Sequence, residues 1–498
     1  MDIQKLNLLG GVITRQYELI PAVSAELSIA SLVTLALDGR VSFVTLDRTV
    51  AGTLDTATQA VNAQLVAQYG YDGAGVGIAV IDSGIHPHPD LQESGSVKSR
   101  VVYRETFIGG STADEYGHGT HVAGIVAGNG KSSGGAVSPF RGVAPRANLL
   151  DLRVLNAQGG SFDSAVIAGI ERAVQLKGRY NVRVINLSLG RPVRESSRLD
   201  PLCRAVQAAW KAGVVVVVAA GNLGRNSYAT ILSPANDPSV ITVGAMKTMA
   251  TPSRADDLIA SYSSKGPTFV DLHVKPDVVA PGNLIASLQA PGSALALAYP
   301  GNKITSPSGY QRMSGTSMAA PMVAGAAALL LQKEPGLTPD RIKARLMKTA
   351  GKNFPATSIA VDPTTGMAYP SVYDIFTVGA GYVDVLAALW NTEASNKAAL
   401  SPIALYNFLT RQGVLLVDPL SSWVEGPWLP MGVWGLSVLQ NGNGIFGISA
   451  AWGDSAAWGD SAAWGDSAAW GSSAAWGNSA AWGSSAAWGN NVQGAGER

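Results

Sequence analysis

A chain of 498 residues has room for one large domain and additional segments, and its 36 Lys and Arg against 35 Asp and Glu leave a formal net charge of +1. That balance argues against nucleic acid or an anionic membrane surface as the main partner. A hydrophobic content of 47% with 57 glycines suits a compact α/β protein with many tight turns, and Cys203, the single cysteine, excludes an internal disulfide. Apolar runs such as 214–220 and 324–331 fall short of the ~20 residues that a membrane helix needs, and the opening Met-Asp-Ile-Gln-Lys does not read as a signal peptide.

Residues 1–50 read as a small β-α-β unit. A strand-like run follows Gly10-Gly11, the Ala- and Leu-rich stretch 23–37 reads as a helix, and a second strand covers 40–47. A linker over 51–69, begun by Thr49, then leads to Gly-Val-Gly-Ile-Ala-Val-Ile, residues 75–81. Such an apolar run suits a parallel strand buried on both faces, and Ser83-Gly84 breaks it, placing Asp82 at its carboxyl end, where open α/β sheets hold their ligands. His118 opens His-Gly-Thr-His-Val-Ala-Gly-Ile-Val-Ala-Gly, small residues for a helix packed closely on the sheet. His121 lies three residues along, over the same helical face, and spacing alone does not choose between the two histidines.

Strands over 147–154 and 182–190 alternate with helices over 163–174 and 201–212. Val214–Ala220 is another buried strand, ending in Gly221-Asn222. Alternation of this kind implies a mostly parallel sheet covered by helices on both faces. Ser317, preceded by Gly315 in Gly-Thr-Ser-Met-Ala-Ala-Pro, begins a long helix. Its N-terminus offers N–H groups and a positive dipole end to a developing oxyanion. Two more helices follow, one started by Thr338 and one containing 383–390. From Trp452 to Trp488 the unit Trp-Gly-(Asp/Ser/Asn)-Ser-Ala-Ala recurs every six residues and holds seven of the twelve tryptophans. In an extended chain all of them would share a face. This stretch reads either as a low-complexity tail or as a surface- or self-association module.

Asp82, His118 and Ser317 are thus an orienting carboxylate, a base and a nucleophile. A serine hydroxyl needs an adjacent imidazole to take its proton, and the imidazole needs an acid to hold its tautomer. The three motifs, in the order Asp, His, Ser, resemble those of the subtilisin-like serine proteases, the subtilases, of bacterial type, over about residues 70–389. The resemblance implies a three-layer α/β fold with a mostly parallel sheet, and it selects His118 as the base. It also implies that Asn222 is the side-chain donor of the oxyanion hole beside the Ser317 amide. Loss of that donor costs on the order of 10²–10³ in turnover, a magnitude carried over from subtilisin.

By the same resemblance, Ser188, Leu189 and Gly190 pair with the extended substrate backbone, which gives breadth rather than sequence specificity. Ala219, Ala220 and Gly221 form the opposite wall of the pocket for the residue before the scissile bond. Leu232 stands near its floor, where many subtilisins have Gly, which implies a shallow pocket that disfavours large aromatic side chains. Pro234 matches a position that is usually cis. Residues 1–50 resemble the back half of an inhibitor-type propeptide, N-terminally truncated, that acts on its own catalytic domain (70–395) as an intramolecular inhibitor. An extension (396–448) and the repeat tail (449–498) follow.

The expected function is a zymogen-derived serine endopeptidase (EC 3.4.21) of broad specificity, acting on proteins or peptides and requiring no cofactor for its chemistry. It is expected outside the cell or on its surface; an intracellular subtilase is the alternative location. A competing expectation, an assembly or surface-association protein with a subtilase scaffold, would be favoured by a missing triad member, and none is missing. Asp90, in His-Pro-Asp-Leu, resembles a calcium-ligating carboxylate of secreted subtilisins. The loop Gly-Asn-Gly-Lys-Ser-Ser-Gly-Gly, 128–135, offers no carboxylate beside it, so a structural calcium stays unassigned.

Overall fold

The structure is a computed structural model. It describes residues 60–435 apart from 135–139, 250–252, 363–365, 408–411 and 425, and, N-terminal to these, 6, 8–16, 23–28, 31, 34, 35, 38, 41 and 49–52. The tryptophan repeat and, apart from Val41, the strand expected over 40–47 lie outside the described residues.

Strands β1 (Val12–Gln16) and β2 (Val23–Glu26) form an antiparallel hairpin. The helix expected from residue 23 onward is therefore corrected at its start: Val23-Ser24-Ala25-Glu26 is a strand, because pairing with β1 outweighs the weak helical preference of so short a stretch. The start of the expected linker is corrected too, since β3 (Thr49–Gly52) is a strand held between two others. Described strands β4 (Gly77–Asp82), β5 (Val101–Thr106), β6 (Asn148–Arg153), β7 (Gly160–Phe162), β8 (Val182–Leu187), β9 (Leu189–Gly190), β10 (Val215–Ala219), β11 (Ile241–Lys247), β12 (Leu258–Ile259) and β13 (Val278–Pro281) follow.

The main sheet has the order β12-β11-β10-β8-β4-β6-β5, with β13 also on β11, and every pairing in it is parallel except β11–β12. Its inner strands are continuous apolar runs because both faces are covered; every residue of β4, β10 and β11 is buried. Helices α1 (His118–Ala127) and α4 (Thr316–Lys333) pack on each other and on the sheet. Helices α2 (Asp163–Gln175) and α3 (Pro201–Lys211) form a second packed pair against it, giving three layers. Residues 316–331 of α4 are all buried, as expected of a helix rich in Ala, Leu and Met that is apolar around its whole circumference. Thr338 caps α5 (Pro339–Thr349) by accepting from the Arg341 N–H.

The described residues of the stretch expected as a separate extension fold back onto this body. Ser401 donates to Asp277, the Val274 N–H donates to the Pro402 carbonyl, and Trp423 and Trp434 are buried edge to face with ring centroids 5.3 Å apart. No helix among the described residues is long and apolar enough to cross a membrane.

Candidate active site

Asp82 ends β4 between β6 and β8, so the middle of the parallel sheet delivers its carboxylate. Oδ1 accepts the Ser83 N–H at 2.7 Å and faces His118 Nδ1, also at 2.7 Å; both side chains are essentially inaccessible. Oδ2 has no hydrogen-bond partner among the described residues. His118 is the first residue of α1. Gly117 before it has φ 97°, and a Cβ there would fall 2.3 Å from Ser293 Oγ, so the chain enters this helix through a position only glycine suits.

Geometry separates the two histidines that spacing left open. His121 turns Nε2 toward the carbonyls of Ile285 and Gln311, both at 3.2 Å, and burial, with His118 nearby, lowers its pKa to about 3. It is a neutral core imidazole with no hydrogen bond to Asp82.

Sequence reasoning missed the groups that brace this pair. Asp114 accepts from Ser83 Oγ (2.8 Å), Gly117 N (2.6 Å), Thr120 N (2.9 Å) and Thr120 Oγ1 (2.5 Å). Ser83 Oγ in turn accepts the Gly119 N–H at 2.9 Å. One buried carboxylate thereby satisfies orphan donors of the first turn of α1 and fixes the residue after Asp82. Burial raises its pKa, opposed by these same hydrogen bonds. The available signal was an acid four residues before His118, which residue type alone does not distinguish from a loop aspartate.

Ser317 lies in the first turn of α4. Its Oγ donates to the Ser188 carbonyl at 3.2 Å, and Ser188 Oγ returns a bond to the Ser317 carbonyl at 2.7 Å. Asn222 Oδ1 accepts from Thr316 N (2.9 Å) and Thr316 Oγ1 (3.1 Å), while the Gly221 N–H donates to Thr316 Oγ1 at 3.0 Å. With its oxygen so held, the Asn222 Nδ2 amide has no partner among the described residues. Thr316, also unforeseen, is the residue that orients Asn222.

The expected substrate-binding residues form two facing walls. Ser188, Leu189 and Gly190 leave the sheet after β8, and Ala219, Ala220 and Gly221 end β10. Leu232, 5% exposed, hangs from Ala220 through its N–H and lies between the walls. A Cβ on Gly221 (φ 112°) would fall 2.6 Å from Leu232 Cγ, and one on Gly190 would fall 3.0 Å from Leu232 Cβ. The space between the two glycines is therefore occupied by leucine. The next peptide, Ser233-Pro234, is cis, and Ser233 exchanges backbone hydrogen bonds with Arg191.

The chain's own N-terminal segment lies along this cleft. Strand β3 pairs antiparallel with β7 on one side (Thr49↔Phe162, Val50↔Ser161, Ala51↔Gly160) and with β9 on the other (Ala51↔Gly190, Gly52↔Leu189). Nearby, Arg15 stands over the Phe107 ring at 5.8 Å and, with Thr14, Gly160 and Phe162, lines a cavity of about 320 Å³.

A calcium ion at Asp90 does not fit the groups present. This carboxylate is wholly buried, and it receives protons rather than facing a shell of oxygens: Oδ2 accepts from Tyr310 Oη at 2.6 Å and Oδ1 from Ser132 N at 2.7 Å. Among the described residues no cluster of three or more His, Cys, Asp or Glu is arranged to hold a metal.

A family model described as Subtilase family matches residues 73–376, more than half of the chain. The chain is similar to Serine protease AprX of Bacillus subtilis (strain 168), at 41% identity over 351 residues covering 68% of this chain and 76% of that protein. It is also similar to an Alkaline protease of Alkalihalobacillus alcalophilus, at 36% identity over 67% of this chain and 75% of the other. Subtilisin DY of Bacillus licheniformis is 39% identical over 58% of this chain and 89% of its own length.

Proposed function

From the premise that this chain belongs to the subtilase family, and is a subtilisin-type serine endopeptidase, we propose that it cleaves peptide bonds through an acyl-enzyme formed on Ser317, and that it is made as a zymogen. Ser317 Oγ attacks the peptide carbonyl carbon, and His118 Nε2 takes the hydroxyl proton and returns it to the departing amine. Asp82 holds the imidazole by Nδ1 and steadies the imidazolium. Asn222 Nδ2 and the Ser317 N–H donate to the oxyanion of the tetrahedral intermediate. Water then repeats the sequence on the acyl-enzyme. The observation that carries this reading is the buried 2.7 Å contact of Asp82 with His118, alone of the two candidate histidines.

The zymogen reading is supported by β3, which takes the backbone pairing that an extended substrate would need. Recognition through main-chain hydrogen bonds supports broad specificity. Leu232 between Gly190 and Gly221 supports a preference for small or medium side chains before the scissile bond. Residues 1–50, with the strand β3 that begins at Thr49, act in this reading as the intramolecular inhibitor, and activity follows export.

Labelling with a fluorophosphonate probe, wild type beside Ser317→Ala, with intact masses of both, tests the proposal. Wild type is expected to label and to lose its N-terminal segment, and Ser317→Ala to do neither. Equal labelling of both proteins would reject Ser317 as nucleophile. An uncleaved wild type that does not label would reject self-maturation.

A further inference from the structure

Away from the cleft, two buried side-chain cations sit where backbone oxygens converge. At the Asp90 corner the guanidinium of Arg100, 3% exposed, donates to four carbonyls: Asp90 (2.7 Å) and Ala127 (2.6 Å) through Nη2, Ala147 (2.9 Å) through Nη1 and Gln92 (3.1 Å) through Nε. Burial, opposed by Asp90, lowers its pKa to about 10, which leaves it cationic at neutral pH. These carbonyls come from the short turn at Pro89–Leu91 and the residue after it, the end of α1 and the loop before β6, so a single cation ties three segments together.

The second corner lies between α5 and the loop before β11. Lys343 Nζ, wholly buried, is surrounded by the carbonyls of Pro238 (2.8 Å), Val240 (3.0 Å) and Ser239 (3.3 Å), by Ser401 Oγ (3.0 Å) and by Asp277 Oδ1 (3.1 Å). An ammonium has three protons, and five oxygens face it. The arrangement is a coordination shell more than a set of directed hydrogen bonds. Asp277 gives its other oxygen to Lys275 Nζ at 2.7 Å, which also reaches the Val240 carbonyl at 2.9 Å. Two lysine nitrogens therefore share one carboxylate, and carbonyl dipoles supply the remaining stabilisation that buried charge requires.

We propose that Arg100 and Lys343 are resident cations of this fold: on covalent tethers they fill the oxygen cages that a bound metal would otherwise occupy, so the folded domain neither binds nor needs a divalent ion at these corners. Asp90 resembles a calcium-ligating carboxylate, but here its oxygens accept from Tyr310 and Ser132 while Arg100 holds its backbone carbonyl. The Lys343 cage contains a single carboxylate, already paired with Lys275. With the ammonium removed, it suits a monovalent ion of ammonium size, such as K⁺, better than Ca²⁺, which takes more ligands and more charge.

The test uses the full chain with Ser317→Ala, to prevent self-digestion, and reads thermal unfolding midpoints. In that parent the midpoint is expected to be the same in excess EDTA and in millimolar CaCl₂; a fall of several degrees in EDTA would overturn the proposal, because a ligand bound only to the folded state must raise the midpoint. Lys343→Ala is expected to unfold at lower temperature in choline chloride and to recover part of the loss in KCl at equal ionic strength. Lys343→Met fills the stem's space without charge, and is expected to show no such recovery. Equal behaviour of Lys343→Ala in the two salts, including failure to fold in both, would overturn the cage assignment, as would equal recovery of Lys343→Met.

Discussion

The Ser83 hydroxyl donates to Asp114 at 2.8 Å while the Ser83 N–H donates to Asp82 at 2.7 Å, so one serine couples the buried carboxylate under helix α1 to the acid that faces His118. Truncating Asp114 would strip the acceptor from four donors at once. Asp114→Ala is expected to cost on the order of 3 kcal/mol in stability, since each unsatisfied buried donor carries its desolvation penalty. Turnover is expected to fall at least roughly tenfold, because a one-ångström loosening of a reacting group is sufficient for that. Chemical denaturation and peptide hydrolysis, run on the matured variant, check both. Unchanged turnover would mean that the base is positioned without this clamp.

Leu232→Gly is expected to open the space between Gly190 and Gly221. Wild type should favour Ala, Thr or Leu before the scissile bond over Phe or Tyr, and the variant should shift kcat/KM toward the aromatic residues by about ten- to two-hundredfold, the range that pocket-size discrimination supplies. A peptide library read on both proteins decides this. Wild type preferring Phe or Tyr would sink the assignment of Leu232 as the pocket floor.

If the chain is made as the proposed zymogen, the register of the N-terminal strand predicts where it is first cut. Ala51 lies opposite Gly190 and Gly52 opposite Leu189, and the next wall residue, Ser188, holds the Ser317 hydroxyl through its carbonyl. Counting one residue on from Gly52, the first bond cut is expected to be Thr53–Leu54. Intact-mass analysis should find Leu54 as the first mature N-terminus. A first cut N-terminal to Thr49 would show that β3 is not held in the productive register.

Two buried imidazoles make stability depend on pH. Burial, opposed by Asp271, lowers the His273 pKa to about 4, and His121 lies at about 3. In the unfolded chain both return to about 6.5. The unfolded state therefore binds more protons as pH falls below 6.5, and stability is lost from there down toward the folded values. That loss is about 3 kcal/mol for His273 when complete. In Ser317→Ala the two imidazoles should lower the unfolding midpoint between pH 6.5 and 5, against the opposite contribution of Asp151, whose pKa burial raises to about 8. His273→Gln should flatten that slope. An equal slope with and without His273 would mean that its ring does not enter the linkage.

Much of the fold was legible in the sequence. The continuous Val and Ile runs mark strands covered on both faces, and their ends place Asp82 and Asn222 on the carboxyl-terminal side of the sheet, because parallel strands all finish on the same side. The protease class was legible because serine, histidine and aspartate each stand in a motif of small residues that few other sequences carry. Other features depend on partners distant in sequence. Whether Val23–Glu26 is helix or strand was decided by pairing with Val12–Gln16. His118 and His121 differ only in what packs against each ring, a carboxylate from β4 or carbonyls from the 285–288 and 310–313 strands. Asp114, Thr316, Arg100 and Lys343 are an ordinary acid, hydroxyl and cations in one dimension. They become a clamp, an anchor and two filled oxygen cages only where the fold closes backbone groups around them, because hydrogen bonds and buried charge are satisfied in three dimensions and leave no period in the chain.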